Sequence, residues 1–333
     1  MGTDKNTFSN ALLTWYAEHG RTLPWRESRE PYRIWLAEIM LQQTTVTAVI
    51  PYYERFLEKF PTLESLAKAD QQDVLHLWQG LGYYSRARNL HACAQQIMNE
   101  HNCAFPEDEK ALLELKGIGP YTAAAIATQA FNLRANVVDG NVERVISRYF
   151  QVEDKLPKAK KLLKEHAETL VPETGNFHSY ANAIMELGAK VCTPKNPDCH
   201  NCPISSGCKV LKNGEPTDYP KKEPKKKKPE KHATVYLIRD SKGRLYLNKR
   251  PENGLLGGLW QPHHEGWEET TCAPHSTEDN THLGFVKHVF THFTLTLDVR
   301  EVQTEQEFPE WFEEGHLPPL PTLFTKAISL QNK

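Results

Sequence analysis

From about residue 8 to residue 190, apolar positions recur three and four apart. The segments IWLAEIML (34–41), TVTAVIPYYERFLEKF (45–60) and NLHACAQQIMNEH (89–101) carry this period of amphipathic helices. Pro51, Pro61, Gly80, Pro106, Gly117 and Gly119 punctuate the pattern, which predicts many short helices and an all-α domain over residues 1–212. Residues 213–232, NGEPTDYPKKEPKKKKPEKH, combine prolines and lysines with almost nothing apolar, the composition of a solvated linker; the lysine run could also touch phosphates. Beyond it the period becomes two. ATVYLIRD (233–240) and RLYLNKR (244–250) flank Ser241, Lys242 and Gly243 as a hairpin, and HFTLTLDVREV (292–302) alternates likewise. Residues 233–333 therefore read as a β-rich α+β domain with one or two helices.

A chain of 333 residues suits two cores, since single cores stop growing near roughly 250 to 300 residues. No apolar run of about 18 residues predicts a membrane span, and MGTDKNTFSN lacks the layout of a secretory signal, so a cytoplasmic protein is expected. A formal net charge of −2 places any binding of a polyanion in local patches and helix termini.

Seven cysteines are an odd number for a cytosolic chain, where clustered thiols read as metal ligands. Cys192, Cys199, Cys202 and Cys208 form C-x6-C-x2-C-x5-C, so four soft thiolates can converge from one loop. Zinc or a [4Fe-4S] cluster would satisfy four such ligands, although zinc sites of this kind usually come as two separated C-x2-C knuckles. Cys93, Cys103 and Cys272 stand alone and read as buried small hydrophobes.

In LKGIGPYTAAAI (115–126), Gly117 and Gly119 sit two apart before a run of small residues, a turn that exposes backbone N–H groups at a helix N-terminus and can receive a phosphate oxygen. Twenty residues after Gly119 comes Val137-Val138-Asp139-Gly140-Asn141, an acid that by itself reads equally as a helix cap. Glu38 lies inside an apolar helix, where burial would raise its pKa and keep the carboxyl neutral.

These motifs, in this order, resemble the endonuclease III and MutY glycosylases of the helix-hairpin-helix superfamily. The resemblance is close over residues 8–210 and looser over 233–330. It implies a [4Fe-4S] cluster on the four cysteines with a structural and DNA-contacting role. It implies that Asp139 faces positive charge developing on a sugar, with Asn141 as its hydrogen-bonding neighbour. Trp35-Leu36-Ala37-Glu38-Ile39-Met40-Leu41-Gln42-Gln43-Thr44 resembles the MutY signature, in which the glutamate is the catalytic acid that protonates adenine. Tyr121 stands where the lyases of the superfamily carry a Schiff-base lysine, which implies a monofunctional enzyme that uses water and counts Tyr121 with the catalytic set. Leu23-Pro24-Trp25-Arg26 is similar to the family's LPWR segment lining the adenine pocket. Gln43 and Tyr83 match the residues that fill the gap left by a flipped base, with Leu81 at the tip of Gly80–Tyr83 and Arg86 and Arg88 as phosphate contacts.

Gly254-Leu255-Leu256-Gly257-Gly258-Leu259-Trp260 resembles a segment of the Nudix-like domain that MutY proteins add after the cluster. The magnesium-holding Nudix run G-x5-E-x7-R-E-U-x-E-E is missing, so this domain is expected to bind and not to hydrolyse. Phe290-Thr291-His292 stands where the family carries the Phe-Ser-His that recognises 8-oxoguanine, and Gln261-Pro262-His263 departs from the acid and aromatic expected there. The implied partner is double-stranded DNA with A:8-oxoG or A:G mismatches, met by a monomer. Two other readings are a pyrimidine-lesion glycosylase/AP lyase of the endonuclease III type, against which Tyr121 speaks, and a non-catalytic DNA-damage binding protein, against which the retention of Glu38 and Asp139 speaks.

Overall fold

A computed structural model describes residues 5–224, 227–252, 254–267 and 280–332. Cys272, and Lys225 and Lys226 of the expected linker, lie outside the described residues. The helices run α1 Lys5–His19, α2 Pro31–Leu41, α3 Val46–Lys59, α4 Leu63–Ala67, α5 Gln71–Trp78, α6 Ser85–Glu100, α7 Glu109–Leu113, α8 Pro120–Phe131, α9 Gly140–Phe150, α10 Lys160–Leu170, α11 Phe177–Lys190 and α12 Lys209–Asn213. The strands are β1 Glu230–Arg239, β2 Leu245–Tyr246, β3 Asn248–Lys249, β4 Trp260–Gln261, β5 His263–Glu265, β6 Thr281–Val289, β7 Thr294–Gln303 and β8 Trp311–Phe312, followed by helix α13 Thr322–Ile328. No helix among the described residues is long and apolar enough to cross a membrane.

The chain divides into two compact units. One comprises Met1–Tyr53, Thr62–Glu64 and Ala92–Lys225; the other comprises Glu54–Pro61, Ser65–His91 and Lys226–Lys333. The second unit thus takes helical residues that the hydrophobic period assigns to the first domain. The reason is in its hydrogen bonds: Gln72 Nε2 donates to the Gly258 carbonyl, Tyr84 Oη to that of Leu320 and Arg88 Nη1 to that of Gly257.

In the first unit α1 and α9 pack on α11, and α2 and α11 pack on α8. The apolar stripes of these helices meet in a core that includes Leu12, Ile146, Leu163, Ala183 and Leu187. Pro51 does not end its helix as its punctuation predicts, because it lies within α3. Pro51 and Thr47 are both exposed, so the Thr47 carbonyl that loses its helical donor can bond water.

Part of the expected linker is ordered here. Tyr219 is buried, its hydroxyl bonds Glu153, and the Leu156 N–H donates to the Lys221 carbonyl while the Glu223 N–H donates to that of Leu156. One aromatic anchor and a short backbone ladder suffice to hold a segment whose lysines face water.

In the second unit the sheet runs β6-β7-β1-β2-β8, with β5 also pairing β1 and β1 parallel to β7. The Asp240–Arg244 hairpin forms with Gly243 at a φ of 78°, a left-handed position that glycine takes without strain. RLYLNKR is not one strand: after Tyr246 the chain leaves the large sheet, and Asn248–Lys249 pairs with Trp260–Gln261. Val235, Leu237, Leu295 and Leu297 form a core with Leu323, Phe324 and Ala327 of α13. Cys93 is fully buried, whereas Cys103, in a turn with φ 60°, is exposed, contrary to its reading as a buried hydrophobe.

Candidate active site

The end of α2, the turn before α8 and the start of α9 open onto one cavity of about 780 Å³, within the range of ligand pockets. Leu23, Trp25, Arg26, Glu38, Gln43, Gly117, Gly119, Tyr121, Asp139 and Asn141, widely separated in sequence, all line it.

Glu38 is 5% exposed. Tyr121 Oη donates to its Oε2 at 2.8 Å and Gln129 Nε2 to its Oε1 at 2.7 Å. Burial pushes its carboxyl above the ordinary value; the two neutral donors pull it back, and the Asp139 charge adds to the rise. Tyr121 is itself driven well above the ordinary phenol value by burial and by Glu38 and Asp139, so it acts as a protonated donor. Gln129 carries no signal in the sequence beyond lying on α8 in helical register with Tyr121, where it shares Glu38.

Asp139 is both a cap and a pocket residue. Its Oδ1 accepts from the Val142 N–H at 2.8 Å as the N-cap of α9, and its Oδ2 accepts from Asn141 Nδ2 at 2.8 Å. Burial raises its pKa, but these donors, the Asn141 backbone and Arg144 all favour the anion, as does the positive end of the helix. Both carboxyls thus sit above their ordinary values because of burial, and they differ in what counters it: two neutral side-chain donors at Glu38, and backbone N–H groups, Asn141 and the Arg144 charge at Asp139.

Several residues of the site lack a sequence signal. Glu186 on α11 is fully buried and receives hydrogen bonds from Arg21 and Arg26. Burial alone would raise its pKa, and the two guanidinium groups hold it low. Arg26 is fixed at the cavity wall by this pairing. Arg144 Nη2 donates to Asn141 Oδ1 at 2.9 Å and to the Gly188 carbonyl at 2.8 Å, and its Nε donates to the Cys192 carbonyl at 2.7 Å. A Cβ on Gly188 would lie 2.6 Å from Asn141 Cβ, so only glycine lets α11 approach the start of α9 this closely.

Cys192, Cys199, Cys202 and Cys208 line one small cavity beside α9. Four soft thiols on one cavity are the ligand set that a [4Fe-4S] cluster takes. Burial pushes the Cys202 thiol up to about 12 and raises Cys199 and Cys208 as well, so these three favour ionisation only around a strongly cationic group. The residues thus fit the [4Fe-4S] cofactor. Arg148, 2% exposed, braces the loop by donating to Cys192 Sγ and to the carbonyls of Thr193, Pro194 and Tyr219.

Gln43 and Tyr83 share an unusual feature. Both are exposed, and both adopt left-handed backbone conformations, with φ of 58° and 49°. Non-glycine residues rarely hold this geometry, and it concentrates at functional positions. In the second unit, Tyr83, Phe290, Thr291 and His292 line a cavity of about 350 Å³. The Tyr83 and Thr291 hydroxyls lie 3.2 Å apart. Phe290 stacks on Phe293 and meets Trp267, while Thr291 and His292 form the exposed tip of a turn closed by the Phe290 N–H and the Phe293 carbonyl.

Leu81 and Arg86 differ from expectation. Each is 8% exposed. Arg86 Nη2 donates to the Leu81 and Gly82 carbonyls, and its guanidinium lies over the Trp78 and Tyr83 rings, because the tight Gly80–Tyr83 turn aims its carbonyls inward. It braces the turn here and does not present its charge outward. Arg88, half-buried, donates one N–H to the Gly257 carbonyl.

Residues 36–173 match the family model of HhH-GPD superfamily base excision DNA repair proteins, which is the class that this helical fold and paired acids define. Residues 192–208 match the iron-sulfur binding domain of endonuclease III, and residues 234–330 match the NUDIX domain. An adenine DNA glycosylase of Buchnera aphidicola subsp. Baizongia pistaciae is 34% identical over 310 residues, covering 87% of this chain and 84% of that protein. The chain belongs to the adenine DNA glycosylase family, and is thereby a hydrolase. Among solved structures, a thermostable thymine-DNA glycosylase superposes with a TM-score of 0.58 at 34% identity, covering 62% of this chain and 96% of that one. A non-covalent endonuclease III–DNA complex, 22% identical, shares the fold with a TM-score of 0.54 over 64% of this chain and 98% of its own.

Proposed function

We propose that this enzyme hydrolyses the glycosidic bond of adenine mispaired with 8-oxoguanine or guanine in duplex DNA, without strand cleavage. The observation that carries the reading is the pair of carboxyls on one cavity, Glu38 buried between two neutral donors and Asp139 half-buried at the N-terminus of α9 with Arg144 nearby. Glu38, biased toward its neutral form, gives a proton to N7 of an adenine flipped into the cavity. The C1′–N9 bond then breaks with its electrons moving to the base. The Asp139 carboxylate faces the positive charge left on the sugar, as electrostatic stabiliser or transient nucleophile. Water adds at C1′ and gives up a proton to the carboxylate of Glu38, which regenerates the acid. Tyr121 in the lyase position supports a monofunctional course, since a phenol forms no Schiff base. Cys192, Cys199, Cys202 and Cys208 would hold a [4Fe-4S] cluster, which would supply structure and DNA contact. Unpairing the adenine costs a few kcal/mol, and Gln43 and Tyr83 supply residues to fill the gap. The Phe290–His292 turn reads the opposite base.

The test is single-turnover base release followed by alkaline strand cleavage, on duplexes with adenine opposite 8-oxoguanine, guanine or thymine. Release is expected opposite the first two and not opposite thymine, with no borohydride-trapped adduct. A second reading, release of mispaired thymine, draws support from the 34% identity to the thymine-DNA glycosylase. A T:G duplex separates the two.

A further inference from the structure

The lysine-rich stretch before β1 is not idle chain. Lys228 Nζ donates to the Phe290 carbonyl at 2.7 Å. Lys231 Nζ lies 4.7 Å from the centroid of the Phe293 ring. Between them the Pro229 carbonyl accepts from the Thr294 N–H at 3.0 Å, and Glu230 and Lys231 enter parallel register with Thr294 and Leu295. Two ammonium groups are thereby fixed on either side of the turn that carries Thr291 and His292. Both lysines are exposed, and Glu230, the acid between them, is engaged with Lys287 at 3.8 Å.

An ammonium has three donors, and Lys228 spends one on Phe290. An aromatic face attracts a cation without using its N–H groups in ordinary hydrogen bonds, so Lys231 keeps its donors. Lysines on a flexible linker must be ordered when they meet a ligand, whereas these two are already placed. On a chain whose formal net charge is −2, this is a local concentration of positive charge on Phe290 and Phe293, two residues that line the cavity of about 350 Å³.

We propose that Lys228 and Lys231 form a phosphate-binding site for the DNA strand that carries the base opposite adenine, flanking the Phe290–Phe293 turn. The inference rests on the reading above that this turn faces that strand. The site contacts phosphodiesters irrespective of sequence, and so strengthens binding to damaged and undamaged duplex alike while leaving discrimination to the Phe290–His292 turn.

The experiment measures the dissociation constant of the full chain, cluster intact, for duplexes containing 8-oxoguanine or guanine opposite adenine across a salt series. Lys228→Gln/Lys231→Gln should lower the slope of log affinity against log salt by about two, because each lost phosphate contact removes about 0.9. The ratio of the two affinities should stay the same, and Lys228→Arg/Lys231→Arg should restore the slope. An unchanged slope in the Gln variant, or an unchanged slope with lost preference for 8-oxoguanine, would overturn the proposal, the latter showing that the lysines only hold the turn. A fall in slope that the Arg variant fails to restore would also overturn it, by showing that packing and not charge was lost. If the wild-type chain released no adenine yet the Gln variant still lost slope, the catalytic reading would fail and the phosphate site would stand.

Discussion

Tyr121 Oη and Glu38 Oε2 lie 2.8 Å apart, with the phenol as donor. The bond favours the carboxylate and so counters part of the rise that burial imposes. Tyr121→Phe should therefore push the Glu38 pKa higher. On the proposed mechanism base release needs Glu38 protonated, so the basic limb of the pH–rate profile should move to higher pH. Single-turnover rates across pH check this, and a limb moving toward lower pH would refute the assignment of Glu38 as the acid.

Glu38→Gln should leave mismatch binding largely intact while stopping base release; loss of binding instead would mean that Glu38 is structural. The same variant makes a stability prediction. A carboxyl with a raised folded pKa binds more protons folded than unfolded, so its contribution falls as pH rises from the ordinary 4.5 through the folded value. The neutral amide escapes this loss. Its melting temperature should exceed that of the wild type near neutral pH, with the advantage vanishing below about pH 4.5.

Asp139→Asn separates the two tasks of Asp139. Asparagine caps a helix about as well as aspartate, so stability should change by less than about 1 kcal/mol. Base release should nevertheless fall by at least about a hundredfold, since one preorganised group facing developing charge is worth that much. Urea unfolding and single-turnover kinetics on the same protein decide it; a large loss of stability would make the capping role dominant.

Two glycines should behave oppositely. A Cβ on Gly119 would meet no protein atom within 4 Å, and its φ of −97° suits any residue. Gly119→Ala should fold normally yet weaken DNA binding, because the methyl stands where a phosphate would approach the N-terminus of α8. A Cβ on Gly207 would lie 2.2 Å from the Tyr149 hydroxyl oxygen, so Gly207→Ala should displace the cysteine loop and reduce iron content per chain. Melting curves, salt-dependent binding and iron assay distinguish these outcomes.

By itself the sequence determined what is local. The 3.6 and 2.0 periods marked helices and strands, because the side chains on one face of an element must share one environment. The cysteine spacing marked the cluster loop, because its ligands come from residues 192–208 alone, and Gly117 and Gly119 marked the turn before α8 for the same reason. Only the tertiary structure decided what depends on distance through space. Glu186 sits 160 residues from Arg26, and Gln129 sits 91 from Glu38. Arg144 and Arg148 of α9, which carry no signal in the sequence, turn inward to Asn141 and the cysteine loop. Arg86 likewise faces the carbonyls of its own turn, and Tyr219 anchors a segment whose composition reads as solvated linker. A polar side chain looks the same in sequence whether its partner is water or a buried group on another helix, and only the packed fold excludes the water and supplies the partner.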